Sequence, residues 1–119
     1  MITLFGIPNC DTVKKARAWL AQNGLEYQFH DFKKQGVPPL HLNAWINAVG
    51  WEKLLNRQGT TWRKLDAATQ ATAVDAESAA KLLIFNVSLI KRPVVEWANT
   101  GSKTDISVGF DENLWIKRV

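Results

Sequence analysis

A single cysteine, Cys10, occurs in a chain of 119 residues, so no disulfide can close within it and any disulfide chemistry requires a second molecule. The fold must be held by packing alone, which fits a reducing compartment. Long apolar runs are also lacking. No stretch approaches the roughly 18 apolar residues of a membrane-spanning helix, and the opening Met1-Ile2-Thr3-Leu4-Phe5-Gly6 has no basic region leading into an apolar segment and cleavage site. A cytoplasmic protein with no membrane partner is expected. There are no internal repeats and no blocks of like charge. The net charge of +4 is spread along the chain, which argues against a nucleic-acid-binding arm and suits a small anionic ligand. His30 and His41 stand apart from each other and from any carboxylate cluster at ligand spacing, so no metal site is expected.

What is present is an ordinary globular balance, 46% hydrophobic and 22% charged residues, enough for one core and not for two. Ile2 to Phe5 read as a strand, broken by Gly6-Ile7-Pro8-Asn9. From Asp11, Val13, Ala16 and Leu20 recur at helical spacing, with Lys14, Lys15 and Arg17 on other faces and Gly24 as the stop. Tyr27 to Phe32 alternate ring and polar side chains as a second strand, parallel to the first because a helix joins them.

Lys33 to Val37 read as a polar loop, and Pro38-Pro39 open a helix whose Leu42, Trp45, Ile46 and Val49 share a face up to Gly50. Between Trp51 and Thr72 the pattern is short and interrupted, with Thr61 as the cap of a brief helix through Leu65. Asp75 with Ser78 marks another helix start, followed by Ala76, Ala80, Leu83, Val87 and Ile90, with a break expected near Asn86. Val94 to Trp97 and Asp105 to Val108 form a hairpin across a turn containing Asn99 and Gly101. Asp111 caps a last helix carrying Leu114, Trp115 and Ile116. The six tryptophans fall mostly on helix faces or strand positions and read as core.

Cys10 follows a Pro-Asn turn and begins a helix. Unpaired N–H groups and the positive end of the helix dipole favour a thiolate there, which is the reactive form. Lys14 and Lys15 add positive potential one turn on. Thr12 can donate a hydrogen bond to the sulfur or to an oxyanion, or bond locally to the backbone instead. Cys10-Asp11-Thr12-Val13 places valine where the second thiol of a Cys-x-x-Cys pair would stand, so a dithiol cycle within the chain is excluded.

Three segments together, Phe5-Gly6-Ile7-Pro8-Asn9-Cys10-Asp11-Thr12-Val13-Lys14-Lys15-Ala16-Arg17, Asp31-Phe32-Lys33-Lys34-Gln35-Gly36 and Ser88-Leu89-Ile90-Lys91-Arg92-Pro93-Val94, resemble the arsenate-reductase (ArsC) family, most closely its YffB branch, along essentially the whole chain. The resemblance implies an α/β thioredoxin-like fold of ArsC type, a mixed four-stranded sheet in one domain, 1–119, with a helical insertion at about 38–90. It also implies a catalytic Cys10 and oxyanion-holding arginines matched by Arg57 and Arg92. Guanidinium groups suit that role because they stay charged and present forked donors. Pro93 matches a family proline expected in the cis form beside the cysteine.

The site so drawn has Cys10, Arg57 and Arg92 as catalytic residues and Asn9, Thr12, Lys14 and Pro93 as substrate-binding residues. The family's third arginine would fall in Ser107-Val108-Gly109-Phe110, which carries no cation. An electrophile other than arsenate, such as a glutathione mixed disulfide, is therefore expected. The implied activity is a thiol-dependent reductase with no tightly bound cofactor, using glutathione as co-substrate and glutaredoxin as a further candidate partner. The alternatives are a glutathione- and glutaredoxin-coupled arsenate reductase and, because the family includes Spx-type regulators, a protein that binds RNA polymerase.

Overall fold

The computed structural model describes residues 2–97 and 105–118. The chain divides into two compact units, Met1–Lys34 with Arg92–Val119, and Gln35–Lys91.

The first unit is built on a four-stranded mixed sheet in the order β2-β1-β3-β4. Strand β1 is Ile2–Gly6, β2 Tyr27–Asp31, β3 Val94–Glu96 and β4 Ile106–Val108. β1 pairs parallel with β2 and antiparallel with β3, and β3 pairs antiparallel with β4. Helix α1, Asp11–Gln22, makes the crossover that the parallel pair requires. The β1–β2 and β3–β4 pairings are those expected from the sequence, which did not specify the β1–β3 pairing. The expected turn at Asn99 and Gly101 lies outside the described residues.

α1 presents Val13, Ala16, Trp19 and Leu20 to the core and leaves Lys14 and Lys15 exposed. It ends in a Schellman motif: Leu25 N–H donates to Leu20 O at 3.0 Å and Gly24 N–H to Ala21 O at 3.1 Å. Gly24 sits at φ 69°, a backbone conformation that costs other residues a clash with Cβ. Leu4, Val13, Ala16, Leu20 and Val95 are fully buried in the cluster that α1 forms with the sheet. Helix α8, Glu112–Trp115, closes this core, with Asp111 accepting from Asn113 N–H. Of the three apolar residues expected to pack there, only Trp115 is buried; Leu114 and Ile116 are more than half exposed. One short turn can direct only part of its surface inward.

Trp115 meets Phe110, Trp97 and Trp19 edge-on at centroid distances of 4.7, 4.8 and 5.5 Å. This is the geometry ring quadrupoles favour.

The sequence reading runs β2 one residue too long. Asp31 Oδ1 accepts the Lys33 N–H at 2.8 Å, turning the chain at once into a short helix α2, Phe32–Gln35, where a polar loop was expected.

In the second unit, α3 is Pro39–Val49 and starts with proline in its first turn. Three short helices follow where an interrupted pattern was expected: α4 Trp51–Leu54, α5 Thr60–Lys64 and α6 Ala67–Ala71. Gly59, not Thr61, flanks α5. α6 is capped by Asp66, which accepts from Thr69 N–H at 2.7 Å. The Asp75–Ser78 pair forms a reciprocal capping box on α7, Ala76–Phe85. Asn86 ends α7, and a 3-10 turn Val87–Leu89 follows. The helix ends at the break expected near Asn86, and its buried stripe is Ala79, Leu82 and Leu83, which shares only Leu83 with the one expected because this alanine-rich helix has more than one apolar face and turns Leu82 inward with Leu83. Leu55 bridges Ile90, flanked by Asn56 N–H to Leu89 O at 2.8 Å and Lys91 N–H to Leu54 O at 2.7 Å.

Trp115→Ala removes the ring that three others share and should cost about 3–5 kcal/mol, measured as a lower urea midpoint. A midpoint equal to that of the unsubstituted chain would refute this account of the core.

Candidate active site

The segment between β1 and α1 is a tight turn. Cys10 N–H donates to Ile7 O at 3.2 Å, closing a four-residue turn with Pro8 at the second position, where its fixed φ is preorganised. Pro8 and Asn9 are exposed at the tip, and Ile7 is buried. Cys10 is the N-cap of α1, with φ −94° and ψ 125°, and its carbonyl accepts the first helical bond from Lys14 N–H at 2.9 Å.

The thiol is half-buried and packs against the core cluster of the first unit. Its sulfur makes no closed capping bond with the first turn, yet the turn's amide dipoles act on it. Burial pushes the Cys10 pKa up. The Val13 N–H, the hydrogen bond and charge of the Arg92 guanidinium, and the Thr12 N–H together outweigh burial, so the net shift is downward and the thiolate is favoured.

Arg92 stands just before β3, half-buried, with its Nε withdrawn from solvent. The Arg92–Pro93 peptide bond is cis. Pro93 is buried and its carbonyl accepts the Gly109 N–H at 2.8 Å, tying the segment to the end of β4.

Of the residues singled out in the sequence, Cys10, Thr12 and Arg92 meet in this unit, and Thr12 acts on the sulfur through its main-chain N–H. Asn9 and Lys14 are exposed on the turn and on the first turn of α1. Arg57 belongs to the second unit, where it is exposed with its guanidinium over the rings of Trp51 at 5.5 Å and Trp62 at 5.8 Å. In the Ser107–Phe110 segment no side chain is cationic. The nearby Arg118 is engaged with Asp105 and lies over the Trp97 ring at 5.0 Å. Among the described residues no three His, Cys, Asp or Glu side chains group as a metal site, and no helix is long and apolar enough to cross a membrane.

Sequence reasoning missed the contribution of Val13. It was read as a core residue and as the missing second thiol, but the hydrogen bond from its N–H is also the largest single interaction favouring the thiolate. The signal was available, since the third residue after an N-cap is where a side chain at the cap finds its amide.

Comparison with known proteins gives the same assignment from independent directions. The ArsC family model matches residues 5–117. An uncharacterized protein of Haemophilus influenzae is 42% identical over 95 residues, 80% of this chain and 82% of its own length. The global transcriptional regulator Spx of Streptococcus pyogenes serotype M3 is 25% identical over 115 residues, covering 95% of this chain and 81% of the regulator. Among solved structures, a protein described as YFFB (PA3664) is 42% identical with a TM-score of 0.86, covering 98% of this chain and 97% of that one. An arsenate reductase (ArsC) related protein from Brucella melitensis is 43% identical with a TM-score of 0.71, covering 98% and 92%. With its mixed four-stranded sheet, thioredoxin-like fold and a family match that spans nearly its whole length, this chain belongs to the ArsC family.

Proposed function

We propose that the protein is a thiol-dependent reductase in which Cys10 is the nucleophile and glutathione the external thiol. The observation that carries the proposal is the convergence on one sulfur of two helix-start amides and the Arg92 guanidinium, which lowers the Cys10 pKa despite burial. The absence of a second cysteine makes an outside reductant necessary.

The reaction balances as two exchanges. The Cys10 thiolate attacks the glutathionyl sulfur of a mixed disulfide, forming a Cys10–glutathione bond and expelling the substrate thiolate, which takes a proton from water. A second glutathione thiolate then attacks the adduct, releasing oxidised glutathione and restoring Cys10. Overall, one glutathione thiol and one mixed disulfide become one substrate thiol and one oxidised glutathione, with Cys10 regenerated. Arg92 stabilises the Cys10 anion at the start of the first exchange and at the end of the second. Asn9, Thr12, Lys14 and Pro93 are proposed as substrate contacts. Arg57 is retained on the family resemblance alone. A cytoplasmic setting, where reduced glutathione is maintained, completes the reading, with glutaredoxin as a second route for removing the adduct.

Two other readings have support. The 25% identity to a regulator named Spx favours a binding protein, in which case RNA polymerase would be retrieved equally by the chain and by Cys10→Ser. The relation to the Brucella melitensis protein favours arsenate reduction, which a coupled assay with glutathione and glutaredoxin would register. The uncharged Ser107–Phe110 segment weighs against binding of an arsenate dianion.

Incubation with oxidised glutathione should produce one adduct by intact mass, on Cys10 and absent from Cys10→Ser. An unmodified chain after prolonged incubation at neutral pH would sink the proposal.

The rate of iodoacetamide alkylation against pH should show a midpoint below the value of about 8.5 for a free thiol. Arg92→Gln should raise that midpoint and slow alkylation at neutral pH by roughly three- to tenfold, the range for a half-exposed charge-assisted contact. A midpoint unchanged by Arg92→Gln would remove Arg92 from the site.

A further inference from the structure

The last residue of β1 is Gly6, and the first inward-facing residue of α1 is Val13. A Cβ added at Gly6 would lie 2.8 Å from Val13 Cγ2 and 3.3 Å from Val13 Cγ1. The first distance is shorter than carbon atoms tolerate without displacement. Val13 has no easy way to yield. A β-branched side chain in a helix is nearly locked in one χ1 rotamer, and Val13 is fully buried, with Leu4, Ala16 and Leu20 in the same cluster. The backbone φ of Gly6 is not in the left-handed region, so this glycine is not required by its conformation. It is required by the close approach of helix to strand.

That approach matters for the chemistry because Val13 serves twice. Its side chain seats the first turn of α1 on β1, and its main-chain N–H, with that of Thr12, is directed at the sulfur of Cys10. Cys10 itself is fixed from the other side by its N–H bond to Ile7 O, next to Gly6. Strand end, turn and helix start therefore form a short closed frame. A side chain at position 6 would displace the helix side of the frame while leaving the turn in place.

We propose that Gly6 is a positioning residue for Cys10: the lack of a side chain at the end of β1 lets Val13 seat against the strand and so holds the first-turn N–H groups of α1 at the nucleophilic sulfur. Gly6 touches no reacting atom and acts entirely through Val13. The inference rests on Cys10 being the reactive group of the proposed function, but it does not depend on glutathione.

The test is the pH profile of iodoacetamide alkylation of the folded chain, read well below its thermal midpoint, for Gly6→Ala and for Gly6→Ala combined with Val13→Ala. Gly6→Ala should raise the alkylation midpoint by roughly half a pH unit, as expected for one weakened charge–dipole contact, and cut the rate on the acid side about threefold. The double substitution removes both methyl groups that cause the overlap and should return the midpoint toward that of the unsubstituted chain. A fall in thermal midpoint with no change in the alkylation midpoint would make Gly6 a packing residue only and overturn the proposal. So would a raised midpoint that the double substitution fails to lower. Should Gly6→Ala not fold, the double variant decides: it must fold with a near-normal midpoint, and either misfolding or a raised midpoint refutes the steric mechanism. A chain that passes this test yet forms no glutathione adduct would lose the proposed co-substrate and keep the positioning role of Gly6.

Discussion

The first turn of α1 has to rest on the end of β1, and much of the first unit follows from that contact. Val13 is buried in the core by it, which sets where the helix axis runs over the sheet and brings Ala16, Trp19 and Leu20 in behind. The same seating leaves Cys10 at the rim of the core, half-buried and not sealed inside. A sulfur deeper in the core would be held as a neutral thiol, and one fully in water would feel little of the amides or of Arg92, since exposed charge interactions are weak. The intermediate position lets three favourable contacts exceed the burial penalty. Valine at position 13 is therefore a structural member of the core as well as a substitute for a second thiol.

Much of the sheet and the cysteine's place on a helix start were legible in the sequence because they depend on local signals. Ile2 to Phe5, the Gly6–Asn9 break and the Val13, Ala16, Leu20 period need only neighbours to be read. Asp75 and Ser78 likewise report their own capping box. What could not be read depends on partners far along the chain or on very short elements. Phe32 looked like a strand residue because it is aromatic and follows an alternating run, but the Asp31 carboxylate bonding to Lys33 N–H ends the strand before it. The break near Asn86 was legible and is where α7 ends, but its stripe was misplaced, because an alanine-rich helix has apolar side chains on more than one face and its period alone does not say which face turns inward. Arg92 was legible as a candidate only through resemblance. Its effect on Cys10 requires β3 to lie beside β1, a pairing of residues some ninety positions apart.

The strength of these contacts also bears on which chemistry suits the site. Lowering a thiol's pKa increases the thiolate fraction at neutral pH, but it weakens the thiolate as a nucleophile with a Brønsted slope of about 0.4–0.5. The gain exceeds the loss only until the thiol is mostly ionised, so a moderate shift is best for attack. Wherever a thiol attacks a disulfide that includes Cys10, Cys10 is the leaving group, and there a lower pKa helps throughout. Two amides and one guanidinium meet both demands on a sulfur anion, whose charge is single. A tetrahedral dianion carries twice that charge and several acceptor oxygens, and calls for further donors that the neutral Ser107–Phe110 segment and an Arg118 engaged with Asp105 and Trp97 do not offer. The same contacts couple folding to pH. Because the Cys10 pKa is depressed in the folded chain, its contribution to stability is present in full above the unfolded thiol's pKa and is lost as pH falls through the folded one. The thiolate therefore contributes to the stability of the helix start that holds it, and any covalent capping of the sulfur removes that charge and with it that contribution.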